Sequence, residues 1–211
     1  MAANYDNSAW FYDRLSRLVY GKALVLSQVY LLKHIPENSD ILIAGGGTGW
    51  ILEEIGKVHP SGLTITYVEI SANMMALSKK RNIGGNKVTF INEPVENIAA
   101  DTVYDVVFTP FLFDNFTEQT LQQVFAHTHS RLNPNGIWLN TDFRSTGKWW
   151  HTFLLKSMIV FFRLICGIEA KKLPDIENQF EQYQYQVIDQ KSFFGAFILS
   201  TAYRKLSEHD L

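Results

Sequence analysis

The stretch Ile41–Trp50, ILIAGGGTGW, constrains this chain more than any other. Three apolar residues and an alanine lead directly into Gly45, Gly46, Gly47 and Gly49, and the helix-compatible segment Ile51-Leu-Glu-Glu-Ile follows. A parallel strand covered on both faces reads as an unbroken apolar run, and glycines let the chain reverse and approach a ligand with no Cβ in the way. The order strand, glycine turn, helix start therefore predicts bare N–H groups at a helix N-terminus, a place suited to a carboxylate or phosphate. Spacing narrows the ligand. No GxxxxGK[ST] is present, and GxGxxG fails because its third glycine would fall on Trp50 counting from Gly45 and on Leu52 counting from Gly47. What remains is GxGxG at Gly45, Gly47 and Gly49. A second apolar run, Leu63–Val68, ends in Glu69, about twenty residues beyond the loop, where an acid at a strand tip can accept both hydroxyls of a ribose. Together these features predict an adenosine ligand without a pyrophosphate.

Five segments follow one another in the chain: ILIAGGGTG, ITYVEISANMM, VTFINEPVENI, YDVVFTPFLFDNF and RLNPNGIWLNTDF. In order and spacing the sequence resembles the class I S-adenosylmethionine-dependent methyltransferases, especially the small ubiquinone/menaquinone C-methyltransferase-like group. The resemblance implies S-adenosyl-L-methionine as cofactor, with Ala44, Gly45, Gly47 and Gly49 in the loop and Glu69 on the ribose. It implies Ile70 and Met74 on the adenine faces, Asn92 or Glu93 at the adenine edge, and Thr109 at the strand end facing the methyl donor. Two positions depart from the family. Ile43 stands where relatives carry an acid two residues before the first glycine, and Glu93-Pro94 replaces the usual Gly-Asp.

With 211 residues, 46% of them hydrophobic, one α/β unit with a sizeable core is expected. A net charge of −2 offers no basic field for nucleic acid. Cys166 is the only cysteine, so neither an internal disulfide nor a thiolate metal cluster is expected, and His127 and His129, two apart, do not share a helix face as metal ligands. No secretory signal is visible in MAANYDNSAW, and a cytoplasmic enzyme is the expectation.

Residues 4–33 carry apolar side chains at helical spacing and are read as one or two helices; the resemblance implies that residues 1–36 form a helical cap on the cofactor pocket, with Tyr12 and Tyr20 either on the substrate or simply packing. Strands are predicted at Ile41–Ala44, Leu63–Val68, Val88–Ile91, Tyr104–Thr109, Ile137–Phe143, Tyr183–Ile188 and Phe193–Tyr203, the last two joined by a turn at Asp189-Gln-Lys-Ser192. The fold class expected is α/β, a Rossmann-like doubly wound, mostly parallel seven-stranded sheet with a C-terminal antiparallel strand, in one domain over residues 1–211. Ligands in such sheets sit beyond the carboxyl ends of the strands, so the loop after the fourth strand, with Phe113 and Asp114, should face the methyl donor. Asp114 is either a general base or a turn-capping residue. Lys148–Ile165, KWWHTFLLKSMIVFFRLI, is nearly long enough to span a membrane, but Lys148, His151, Lys156 and Arg163 interrupt it. Within an insertion over residues 144–174 it is either a lid on an apolar acceptor, with Trp149 and Trp150 on the substrate, or a helix at a membrane surface. The function expected is methyl transfer to a small, apolar, quinone- or lipid-like acceptor. The alternatives are an aminopropyltransferase-like enzyme, and a non-catalytic protein that binds S-adenosylmethionine on the same fold.

Overall fold

The computed structural model describes residues 19–99, 101–166 and 170–207. Strand β1 (Asp40–Ala44) lies at the centre of a seven-stranded sheet, paired in parallel with β2 (Ser61–Val68) on one side and β4 (Tyr104–Pro110) on the other. The strands β3 (Gly85–Ile91), β5 (Leu132–Phe143), β6 (Gln186–Phe193) and β7 (Ile198–Arg204) complete the order β3-β2-β1-β4-β5-β7-β6. Strand β7 runs antiparallel to both β5 and β6, as the sequence predicts for the last strand. The order reverses between β1 and β4, which opens a crevice beyond their carboxyl ends.

Side chains alternate along β1 between two apolar layers. Ile41 and Ile43 join Ile51, Leu52, Ile55, Val106, Phe108 and Leu139, while Leu42 and Ala44 join Val107, Phe125, Trp138, Phe180 and Tyr203. Both layers bury their members almost completely, which is why the strand reads as a continuous apolar run. Helices α1 (Ala23–Val29) and α2 (Trp50–Val58) flank the first layer's side, and α4 (Glu118–Ser130) and α6 (Ile176–Gln182) the second's. Helix α3 (Ala72–Ser78) is capped by Ser71, whose hydroxyl accepts from Met74 N at 3.2 Å. Helix α5 (Trp149–Cys166) covers a third cluster past the ends of β5 and β7, built on Phe143, Phe197 and Ile198.

Two turn assignments move. Asn133-Pro-Asn-Gly136, expected as the turn before the fifth strand, falls inside β5, where pairing with β4 slips between Tyr104 and Val106 and Asn135 takes φ +62°. Residues Asp189–Ser192, expected to join the last two strands, lie within β6 instead. The turn is Phe194-Gly195-Ala196, with positive φ at all three. Its aromatic residue is half-buried and packs on Trp150 of α5, so polarity marks the wrong tetrapeptide.

Candidate functional site

At the end of β1 the chain enters the glycine loop with Gly45, Gly47 and Gly49 all in the left-handed region, at φ +71°, +64° and +76°. A Cβ on Gly46 would lie 2.2 Å from the Tyr67 ring, whose hydroxyl donates to Gly47 O at 2.9 Å. On Gly47 a Cβ would meet nothing within 4 Å, so this residue borders open space. The Glu69 carboxylate, at the tip of β2, is held beside it. One oxygen accepts from Gly47 N at 2.9 Å and the other from Ser71 N at 2.8 Å. Each carboxylate oxygen has further acceptor capacity, so an anion fixed in this way can take ligand hydroxyls without moving. Asn92 donates its amide to Glu69 O at 2.7 Å and Ile70 O at 3.0 Å, locking the segment between β2 and α3. Ile70 is 36% exposed, Glu93 is exposed, and Met74 is buried. The open face at Gly47, with an anchored acid next to it, fits the ribose end of S-adenosylmethionine. Ile43 offers nothing to the ligand, for it is fully buried with Phe108 and Leu139.

Two residues assigned to the cofactor face lie in the core instead. Ala44 is buried in the second apolar layer. Thr109 is fully buried, its hydroxyl donating to Asn140 Oδ1 at 2.8 Å and accepting from Trp138 Nε1 at 3.0 Å. The alternation of β4 turns that side chain toward the sheet's own polar partners.

Beyond β4 and β5 lies a second group. Phe111 takes φ +53°, rare for a bulky residue, and leads into the short helical turn Phe113–Asn115. The Asp142 carboxylate, at the end of β5, accepts from Phe113 N at 3.0 Å and Phe143 N at 2.9 Å and thereby fixes this turn. Asp114, the next residue of the turn, is equally buried and accepts from Asn115 Nδ2 at 2.6 Å. Desolvation raises both carboxyls, Asp142 to about 7 despite the backbone N–H groups that favour its charge. The nearby Asp142 pushes Asp114 up further, well above the usual carboxylate range. Asp142 is the site residue that sequence reasoning missed. Its signal was an acid at the carboxyl end of a strand that is otherwise a buried run.

Tyr20 reaches this region from the N-terminal side. Burial, then the Asp114 charge, raises its phenol pKa, and its ring lies 5.4 Å from Phe143 and from Phe194. Its hydroxyl approaches Met158 Sδ of α5 at 3.7 Å. His151 of α5 is buried against Phe197, ring centroids 4.8 Å apart, with Nδ1 bonded to Thr146 and Nε2 without a partner among the described residues. Phe113 does not share this cluster. Its ring is sealed among Phe116, Phe125 and Trp138, because the turn that carries Asp114 sends Phe113 to the opposite layer. Trp149 is 81% exposed and points away from the cluster, whereas Trp150 packs on Phe194, 5.8 Å between centroids. Tyr12 lies outside the described residues.

Known proteins resemble the chain in sequence and in fold. A family profile, the methyltransferase domain, matches residues 42–138. Ubiquinone/menaquinone biosynthesis C-methyltransferase UbiE of Geotalea daltonii is 28% identical over 98% of this chain and 89% of its own length. Malonyl-[acyl-carrier protein] O-methyltransferase of Bacillus cereus is 31% identical over 66% of this chain, which spans only 51% of that protein. Among solved structures, 1,6-didemethyltoxoflavin-N1-methyltransferase of Burkholderia thailandensis, with S-adenosylhomocysteine bound, superposes with TM-score 0.66 at 15% identity, over 95% of this chain and 85% of the other. Magnesium protoporphyrin IX methyltransferase of Synechocystis, also with S-adenosylhomocysteine, gives 0.66 at 14% identity over 95% and 96%. The glycine loop, the anchored acid of β2, the strand order and these likenesses agree: in motif and fold the chain is similar to the class I S-adenosylmethionine-dependent methyltransferases, and to UbiE at low identity.

Proposed function

We propose that the protein transfers a methyl group from S-adenosylmethionine to a small acceptor with an apolar, aromatic body and one ionisable group. The observation that carries this reading is the placement of two groups beyond the same ends of the parallel strands. One is the glycine loop with its anchored Glu69, and the other is the aromatic cluster of Tyr20, Phe111, Phe143 and Phe197, with the buried acid Asp114 beside it. Gly47 and Glu69 would hold the ribose, with Ile70 and Met74 near the base. The bound cofactor would supply a methyl carbon on a sulfonium, a leaving group that needs no acid. Its methyl would pass to the acceptor atom as the sulfonium leaves as a neutral thioether, and the Asp114 carboxylate would take the proton that the acceptor loses. A carboxyl raised toward neutrality is better matched to that proton than an ordinary aspartate. The remaining work of the protein is alignment and exclusion of water.

The unpartnered His151 Nε2 supports an acceptor with a polar substituent as well as a ring, since a buried imidazole nitrogen without a partner costs about 1–3 kcal/mol until something bonds it. In this reading residues 144–174 are the cover of the acceptor chamber within one domain. The near full-length match to UbiE supports a quinone-like ring over an acyl-carrier protein. The test is transfer of labelled methyl from S-adenosylmethionine to a panel of quinols, phenols and acyl thioesters. Label in a quinol or phenol product, with kcat reduced at least about 100-fold by Asp114→Asn and cofactor affinity retained, is expected. Transfer to none of them, together with no calorimetric binding of S-adenosylhomocysteine, would overturn the proposal.

A further inference from the structure

The outer face of α5 has no part in methyl transfer. Trp149, Phe153, Lys156, Val160 and Arg163 succeed one another at steps of four, three, four and three, so they form a single stripe along the helix. All five are exposed, Trp149 at 81%, Phe153 at 66% and Val160 at 53%. The inner face, with His151, Leu154, Leu155, Met158 and Ile159, is turned to the protein and accounts for the packing of the helix without them. Around this stripe the charge is one-sided. From Phe143 to Ile168 the sequence holds Arg144, Lys148, Lys156 and Arg163 and no acid, in a chain whose net charge is −2.

A helix of 18 residues, about 27 Å long, with bulky apolar side chains interleaved with long cationic ones, matches the chemistry of a lipid surface. Phosphates there meet the cations while tryptophan and phenylalanine enter the acyl boundary, and the stems of lysine and arginine reach between the two. No helix among the described residues is long and apolar enough to cross a membrane, so contact in the plane is the geometry open to α5. A second copy of the chain fits less well, because a symmetric contact through one stripe would oppose its own cations. We propose that the stripe Trp149–Phe153–Lys156–Val160–Arg163 seats the protein on an anionic bilayer surface. The inner face of the same helix covers the acceptor chamber, so docking and cover are two sides of one element.

Sedimentation of the full chain with vesicles of phosphatidylcholine, alone or mixed with phosphatidylglycerol, tests this. Binding to the mixed vesicles only, reversed by salt, is expected. The double substitution Lys156→Glu and Arg163→Glu should weaken that binding about tenfold or more. Phe153→Ser should weaken it too, with circular dichroism and S-adenosylhomocysteine affinity unchanged. Equal binding to neutral vesicles, no binding to either, no effect of the double substitution, or lipid-free self-association abolished by Phe153→Ser would each overturn the proposal. These readouts are of lipid binding, so their failure leaves methyl transfer standing, and failure of turnover leaves them intact.

Discussion

Glu69 carries two tasks that a single substitution separates. Its carboxylate satisfies Gly47 N and Ser71 N in a nearly buried setting, and it is the acceptor proposed for the ribose. Glu69→Ala should weaken S-adenosylhomocysteine binding at least about tenfold by calorimetry and also cost about 1–3 kcal/mol of stability, because two backbone donors lose their partner. Full affinity would remove Glu69 from the site. Ile43 has the opposite logic. It is fully buried in one layer with Phe108, Leu139 and Leu52, so Ile43→Asp should destabilise the fold by several kcal/mol in chemical denaturation rather than strengthen binding. A variant as stable as the parent with tighter cofactor binding would contradict this. At Asp114 and Asp142 the sign runs against the usual carboxylate. Their folded pKa values lie above the ordinary 3.8, Asp142 at about 7, so across about pH 4 to 7 the folded state holds more protons than the unfolded one and stability falls as pH rises. Asp114→Asn, permanently neutral, should flatten that fall and be more stable than the parent near pH 7. Tyr20, raised by burial, stays a neutral donor throughout.

Elements were legible where one local rule decides them. Thr117 caps α4, its hydroxyl accepting from Thr120 N at 3.2 Å, so Thr117→Ala should cost about 1 kcal/mol in denaturation without changing cofactor affinity. Strand β1 was legible for the same reason, since burial on both faces leaves no place for a polar residue. The β6–β7 connection was not. Gln190, Lys191 and Ser192 look like a turn because they are polar, but β6 is an edge strand, where polar side chains and a lysine keep a free edge from pairing with another chain. The real turn carries Phe194 and Gly195 because α5 lies over it, Trp150 being 3.0 Å from where a Gly195 Cβ would sit. Nothing within four residues of sequence reports that cover. Helix α5 itself shows the same limit: sequence gives an apolar helix with cations, and only the packing divides it into an inner face and an exposed one.

Across the molecule the two halves of the site differ in how the chain writes them. The cofactor side is assembled by short range, from Gly45 to Glu69 on adjacent strands, and its spacing is a motif. The proposed acceptor side draws on Tyr20, Phe111, Asp142, Met158 and Phe197, which span most of the sequence and meet only through the sheet order, so no spacing announces it. This division has a measurable consequence. A ligand at about 100 times its Kd adds about 2.7 kcal/mol to stability, and for a chain of this size each kcal/mol moves Tm by roughly 2–4 °C. S-adenosylhomocysteine at that level should therefore raise Tm by roughly 5–10 °C. Asp114→Asn, altered only on the acceptor side, should keep the whole shift while losing turnover. Glu69→Ala should lose about half of it at the same ligand concentration, because a tenfold loss of affinity removes about 1.4 kcal/mol. Loss of the shift in Asp114→Asn would mean that the two halves bind as one unit, and Asp114 would then belong to the cofactor's own pocket rather than to the acceptor's.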